Sequence, residues 1–274
     1  MASDRIRNDS RRGKEGPRRG PPPHARAGVS KDEAANWLWG WHAVEAALRN
    51  PDRPPPGRLL ATADRARAIA AIRSELKPEL ADPQEIARRL PQGAVHQGVA
   101  LRTPPLEGVT LPEIAKPATG VILVLDQVTD PQNVGAILRS AAAFGARGVI
   151  MQDRHAPPLG GALAKAAAGA LERLPVVRAV NLSRALEQLS EMGWTSIGLD
   201  GQAEVDLAHV VNIPASVIVL GSEGEGLRRL VSEHCDLLAR IPMPGGFESL
   251  NVGSAAAIAL YAATQVPSAR ATGE

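Results

Sequence analysis

Val121-Ile-Leu-Val-Leu-Asp-Gln-Val-Thr-Asp-Pro-Gln-Asn-Val-Gly-Ala-Ile-Leu-Arg-Ser-Ala-Ala-Ala-Phe-Gly145 sets an unbroken apolar run, a polar turn and a helical pattern end to end. The run is long enough for a strand buried on both faces. Asp130 before Pro131 reads as an N-cap followed by proline at the first helical position, and Gly145 as the stop. In the helix, Val134, Leu138 and Ala141 follow the core-facing period. Arg139 lies beside a stripe of small residues, Gly135, Ala142 and Ala143, which permits close backbone approach. Downstream the same alternation repeats. Strand-like runs at Gly148–Met151, Val176–Val180, Thr195–Leu199 and Val217–Leu220 are separated by helical patterns near Gly161–Leu171 and Leu182–Met192. That order predicts an α/β domain on a parallel sheet.

Two later stretches carry candidate site residues. In Ser216-Val-Ile-Val-Leu-Gly-Ser-Glu-Gly-Glu-Gly-Leu-Arg-Arg229 a buried strand enters a turn where Gly221, Gly224 and Gly226 allow conformations closed to other residues. In Ile241-Pro-Met-Pro-Gly-Gly-Phe-Glu-Ser-Leu-Asn-Val-Gly-Ser-Ala-Ala-Ala-Ile-Ala-Leu-Tyr261 polar turn residues run directly into a helix of small apolar residues. Ser249 and Asn251 stand at its start, able to cap unpaired backbone N–H groups or to reach a ligand.

Upstream, a smaller α/β module is expected over residues 37–103, ahead of a proline-rich linker at 104–117. It opens with Trp37, Trp39 and Trp41. Core packing is the default for these rings, with stacking on an unpaired base open to an exposed one. Arg65, Arg67, Arg73, Arg88 and Arg89 decorate helical patterns and suit either a solvated face or phosphate contacts. Residues 1–36 form a basic tail, in which residues 1–30 hold eight Lys or Arg against three acids. Rich in Pro and Gly and poor in large apolar residues, the tail is expected to be disordered, either attracting nucleic-acid phosphates or merely solubilising. Residues 267–274 form a short C-terminal tail.

Composition narrows the classes. A 274-residue chain that is 44% hydrophobic has room for one or two cored domains, and its net charge of +2 does not by itself imply nucleic acid. The single cysteine, Cys235, forms no internal disulfide and suits a reducing compartment. No apolar stretch spans a bilayer and no secretory signal is evident, so a cytoplasmic location is expected. His155, His209 and His234 are too scattered for a metal set, and no GxGxxG or GK[ST] phosphate loop occurs. A Rossmann-type methyltransferase needs a glycine-rich turn after its first strand, whereas here that strand ends in Asp126-Gln-Val-Thr-Asp-Pro-Gln-Asn133.

Taken in order, the three stretches resemble the SpoU (TrmH-like) family of RNA ribose 2′-O-methyltransferases, within the SPOUT superfamily. Asn133 and Arg139 match its first motif, Gly221-Ser-Glu-Gly-Glu-Gly226 its second, and Ile241-Pro-Met with Glu248-Ser-Leu-Asn-Val252 its third. Gly40-Trp-His-Ala-Val-Glu-Ala-Ala-Leu48 and His96-Gln-Gly-Val-Ala100 resemble the ends of the substrate-binding domain in the subgroup that modifies a guanosine of 23S rRNA.

The resemblance implies a SPOUT methyltransferase domain over 118–266 with a C-terminal trefoil knot, S-adenosylmethionine as cofactor without metal, and a homodimer. It implies RNA as partner: 23S rRNA first, tRNA second because the tRNA subgroup typically lacks the upstream module. A non-catalytic ribosome-assembly protein is the alternative class. Gly221, Ile241, Met243, Ser249 and Leu250 would hold the cofactor; Asn133, Glu223, Ser249 and Asn251 would orient substrate, cofactor and Arg139. Absent the resemblance, Asn133, Ser249 and Asn251 read as caps, Glu223 as a charge at a helix start, and Arg139 as a surface ion pair. Arginine keeps its proton in proteins, so Arg139 is expected to grip the phosphate beside the target ribose and stabilise the developing alkoxide rather than act as a base.

Overall fold

The computed structural model describes residues 31–246 and 249–264. The tail up to residue 30, Phe247, Glu248 and everything after residue 264 therefore lie outside the described residues. The chain is already helical at Lys31–Ala35 (α1), where the small Ala34 and Ala35 lie against the backbone of Gly160 and Gly161.

The first sheet is built from β1 (Trp37–Trp39), β2 (Arg58–Ala61), β3 (Glu79–Leu80) and β4 (Val99–Arg102), in the order β1-β4-β2-β3. Strand β4 runs antiparallel to both neighbours, and β3 parallel to β2. Helices α2 (Trp41–Arg49), α3 (Ala63–Ile72) and α4 (Pro83–Ala87) cover it. The period-two alternation of β1 explains the tryptophans. Leu38 faces the main core, while Trp37 and Trp39 share the other face with Ile86 and Leu90. Trp41 is only half-buried, with the Arg65 guanidinium 4.6 Å from its ring centre.

The stretch 104–117 connects the two sheets and is anchored to the second at several points. Val109 bridges to Val177, and α5 (Leu111–Ala115) buries Leu111, Ile114 and Ala115. Trp194 then donates its indole N–H to the Ala115 carbonyl at 2.9 Å.

The second sheet holds β5 (Gly120–Leu125), β6 (Gly148–Gln152), β7 (Val176–Ala179), β8 (Thr195–Leu199), β9 (Ala215–Leu220) and β10 (Leu237–Ala239), all parallel, in the order β10-β8-β9-β5-β6-β7. Its crossovers carry α6 (Pro131–Ala143), α7 (Gly161–Ala167), α8 (Leu182–Glu191) and α9 (Arg229–Glu233), and α10 (Val252–Thr264) closes the described chain. Every residue of the central strand β9 is buried, as is β5 after its first glycine, which is why both read as continuous apolar runs.

Asp130 caps α6 as its sequence indicates, its carboxylate accepting from the Asn133 amide at 3.3 Å. Small residues of α6 allow two close approaches. A Cβ on Gly135 would collide with Ala166 of α7, and one on Gly253 of α10 would lie 3.2 Å from the Ala136 methyl. Helices α6 and α10 run side by side in the same direction, from that contact at their starts to the edge-on pair Phe144–Tyr261 at their ends, 6.2 Å between ring centres.

The two sheets share one continuous core. Glu172, in a short 3-10 turn after α7, reaches across to Arg53 at 2.7 Å, and each of these side chains is only 4% exposed. Asn50 donates to the same carboxylate at 2.8 Å, and Arg53 also donates to the Pro104 carbonyl at 2.6 Å. Lys165 of α7 donates to the Gln97 side chain at 3.0 Å, and burial lowers its pKa. No described helix is long and apolar enough to cross a membrane.

Candidate functional site

The carboxyl ends of the parallel strands β8 and β9 open onto a cavity of about 460 Å³, the place where open α/β sheets hold ligands. Three loops wall it: residues 199–202 after β8, the glycine-rich turn after β9, and the stretch after β10 through Ile241, Met243, Ser249 and Leu250. The turn is narrow because Ser222 and Gly226 exchange backbone hydrogen bonds, both at 3.1 Å. Gly224 and Gly226 take φ of 91° and 69°. A Cβ on Gly221 would collide with the Gly226 backbone, so glycine is required there on steric grounds.

A contact that the sequence reading missed anchors this turn. Asp126, at the end of β5, is fully buried, and its carboxylate accepts from the Arg228 backbone N–H at 2.9 Å and from its Nε at 2.7 Å. The available signal was an acid ending an unbroken apolar run, since a buried carboxylate demands a partner. This pair ties the end of β5 to the chain just after the glycine-rich turn.

At the rim, three sequence-predicted residues meet. Glu223 Oε1 accepts from Asn251 Nδ2 at 2.7 Å, from Asn133 Nδ2 at 3.2 Å and from the Val252 N–H at 3.3 Å. Asn251 Nδ2 also donates to Asn133 Oδ1 at 3.0 Å. The structural roles expected of them hold as well: Asn251 Oδ1 caps α10 by accepting from Gly253 and Ser254 at 3.0 and 3.3 Å, and Glu223 sits where the helix dipole favours negative charge. The same bonds thus tie three distant chain segments together.

Gly221, Glu223, Ile241, Met243, Ser249 and Leu250 all line the cavity. Arg139 does not. It is exposed on α6, one turn from Ala136, and its guanidinium makes no hydrogen bond or ion pair among the described residues. It therefore lacks the surface ion pair that its position alone would suggest.

The lining suits a nucleoside cofactor with a charged tail: apolar walls from Leu199, Leu220, Ile241 and Leu250, with Asp200, Gln202, Ser222 and Ser249 supplying polar atoms. Among the described residues no three His, Cys, Asp or Glu side chains group as a metal site. Cys235 donates to the Val231 carbonyl at 3.3 Å, and burial, with Asp236 and Asp126 nearby, pushes its thiol up to about 12. It stays protonated at neutral pH and is no nucleophile.

Against known proteins, the family model described as the SpoU rRNA Methylase family matches residues 120–261. A second, described as RNA 2'-O ribose methyltransferase substrate binding, matches residues 37–109. The chain is 37% identical over 241 residues to the 23S rRNA (guanosine-2'-O-)-methyltransferase RlmB of Pseudomonas syringae pv. tomato, covering 85% of this chain and 96% of that one. With the protein of the same name from Xylella fastidiosa, identity is 45% over 179 residues, 63% of this chain and 72% of that one. The fold is shared with the SpoU methyltransferase AviRb of Streptomyces viridochromogenes, solved in complex with AdoMet, at a TM-score of 0.72 and 22% identity over 89% of this chain and 98% of that one.

Proposed function

The chain belongs to the SpoU rRNA methylase family, and from that premise we propose that it transfers the methyl group of S-adenosylmethionine to a ribose 2′-hydroxyl of RNA, at a guanosine of 23S rRNA. The observation that carries this reading is the Asn133–Glu223–Asn251 network, which gathers all three motifs at the rim of one nucleoside-sized cavity.

When bound, the cofactor supplies an electrophilic methyl on a sulfonium. The chain's own residues have two tasks, alignment and charge control. Gly221, Ile241 and Leu250 shape the slot for the adenosine part, and Met243 and Ser249 bound its mouth. The rim network ties the glycine-rich turn, through Glu223, to the starts of α6 and α10, through Asn133 and Asn251, so that this side of the cavity keeps its shape when RNA arrives. Arg139, with no partner in the described protein, is free to take the phosphate next to the target ribose and to stabilise the oxygen as it loses its proton to phosphate or water. Titration calorimetry with S-adenosylmethionine and S-adenosylhomocysteine, with and without RNA, checks the cofactor; absence of binding in every case removes the assignment. Mapping 2′-O-methyl marks in rRNA and tRNA from cells with and without the protein checks the target, and a mark lost from 23S rRNA is the expected result.

We also infer a homodimer. Ile258 and Tyr261, 42% and 56% exposed, lie three residues apart on the outer side of α10, and Leu250, 37% exposed, stands just before the helix where it lines the cavity. We infer the family's trefoil knot in the same segment: after the edge strand β10, Ile241 and Met243 line the cavity at the ends of β8 and β9, and α10 packs on α6. Light scattering at micromolar concentration should give twice the chain mass, and Ile258→Asp should give a monomer with little activity. A wild-type monomer with full turnover would refute the dimer.

A further inference from the structure

A second cavity, of about 420 Å³, lies on the first sheet at its outer strand β3, where Arg58, Leu80, Arg88 and Arg89 meet. Its two carboxylates are engaged within the protein. Glu79 takes the Arg58 guanidinium in a fork of 2.8 to 3.0 Å, which holds its own pKa down. Glu85 accepts from the Asp82 N–H at 3.0 Å in the capping box of α4. The guanidiniums of Arg88 and Arg89 make no hydrogen bond or ion pair among the described residues; Arg89 feels Glu79 only at longer range. Beside them Leu80 is 71% exposed, although Leu60 and Ala81 give the floor of the groove apolar character. The outer side of β3 pairs with no described strand.

Two unpaired planar cations next to an exposed apolar side chain match an unpaired nucleic-acid strand: guanidiniums for successive phosphates, an apolar surface for a base face. We propose that this groove is a docking subsite for a single-stranded segment of the RNA substrate, with phosphates on Arg88 and Arg89 and a base over Leu80. This rests on the RNA methyltransferase reading above and adds to it a place and a contact mode. The groove is remote from the chemistry. In the order β1-β4-β2-β3 it lies at the opposite edge from β1, the strand nearest the methyltransferase domain, so about 14 Å of sheet separates them at ~4.8 Å per strand. Its contribution therefore falls on capture of an extended RNA and not on methyl transfer.

The test compares the wild-type full chain with Arg88→Ala/Arg89→Ala and Arg88→Lys/Arg89→Lys, using a 23S rRNA fragment as probe. Affinity is measured across a salt series, and methylation kinetics on the same RNA. The alanine pair should weaken RNA binding and raise KM at least tenfold while kcat changes less than twofold, and should reduce the magnitude of the log affinity versus log salt slope by about 1.4, two single-strand phosphates at ~0.7 each. The lysine pair should recover most of the slope but less of the affinity, because charge is kept and the fork is lost. An unchanged affinity, KM and salt slope in the alanine pair overturns the proposal and leaves the open strand edge to another occupant, such as an added peptide strand. Calorimetry with S-adenosylmethionine separates the two levels of inference: failure of the wild type to bind cofactor removes the enzymatic reading, while RNA affinity alone still decides the groove.

Discussion

Replacing Arg139 with lysine should lower kcat for RNA methylation by on the order of a hundredfold or more while leaving RNA and cofactor affinity within a few-fold. The side chain is exposed and bonds to nothing among the described residues, so the substitution removes no structural contact and the melting temperature should hold. Lysine keeps the charge. It loses the planar fork that grips a phosphate and a neighbouring oxygen together, and that geometry is needed most when negative charge develops on the ribose oxygen. Single-turnover kinetics at saturating RNA read the loss directly. Equal losses in binding and turnover would make Arg139 a docking residue, and undiminished turnover would end its catalytic assignment.

The largest stability effect is expected far from the chemistry, at Glu172. Glu172→Ala should destabilise the protein by about 3–5 kcal/mol, because it leaves the Arg53 guanidinium buried without a counter-charge. Asn50 loses its acceptor in the same step. Replacing both partners with apolar residues, Arg53→Met with Glu172→Leu, should restore most of the loss, since the penalty comes from an orphaned charge and not from a missing attraction. Urea unfolding followed by tryptophan fluorescence checks this. A loss below about 1 kcal/mol for the single variant would mean that water reaches the pair and the junction is softer than its burial implies.

Much of the catalytic domain was legible because its signals are local. The apolar runs at β5 and β9, the Asp130–Pro131 start of α6 and the stop at Gly145 are each decided within a few residues. The helix α5 and the strand β10 were not legible: five and three residues are too few to show a period, and prolines around α5 look like linker chemistry. The rim residues were recognisable as a set only through the order of the motifs. Asn133, Glu223 and Asn251 are 90 and 28 positions apart along the chain, and nothing in their local sequence distinguishes a helix cap from a residue that also bonds across the fold. The bonds show that one side chain does both. Asp126 left half a signal, an acid ending an apolar run, but nothing named Arg228 as its partner; Arg53–Glu172 left none, because a buried ion pair is a property of two segments and leaves no periodicity in either.

The junction between the two sheets has a consequence for how a target is chosen. With Arg53 locked to Glu172, Lys165 bound to Gln97 and one core running through both halves, the protein behaves as a caliper whose jaws are set during folding. On the proposal that RNA docks in the groove of the first sheet, an RNA held there presents to the other jaw only the ribose lying the right distance away through its folded shape. Position would then be selected by length and curvature before any base is inspected, and the accuracy of the mark would be a mechanical property of residues that never touch it.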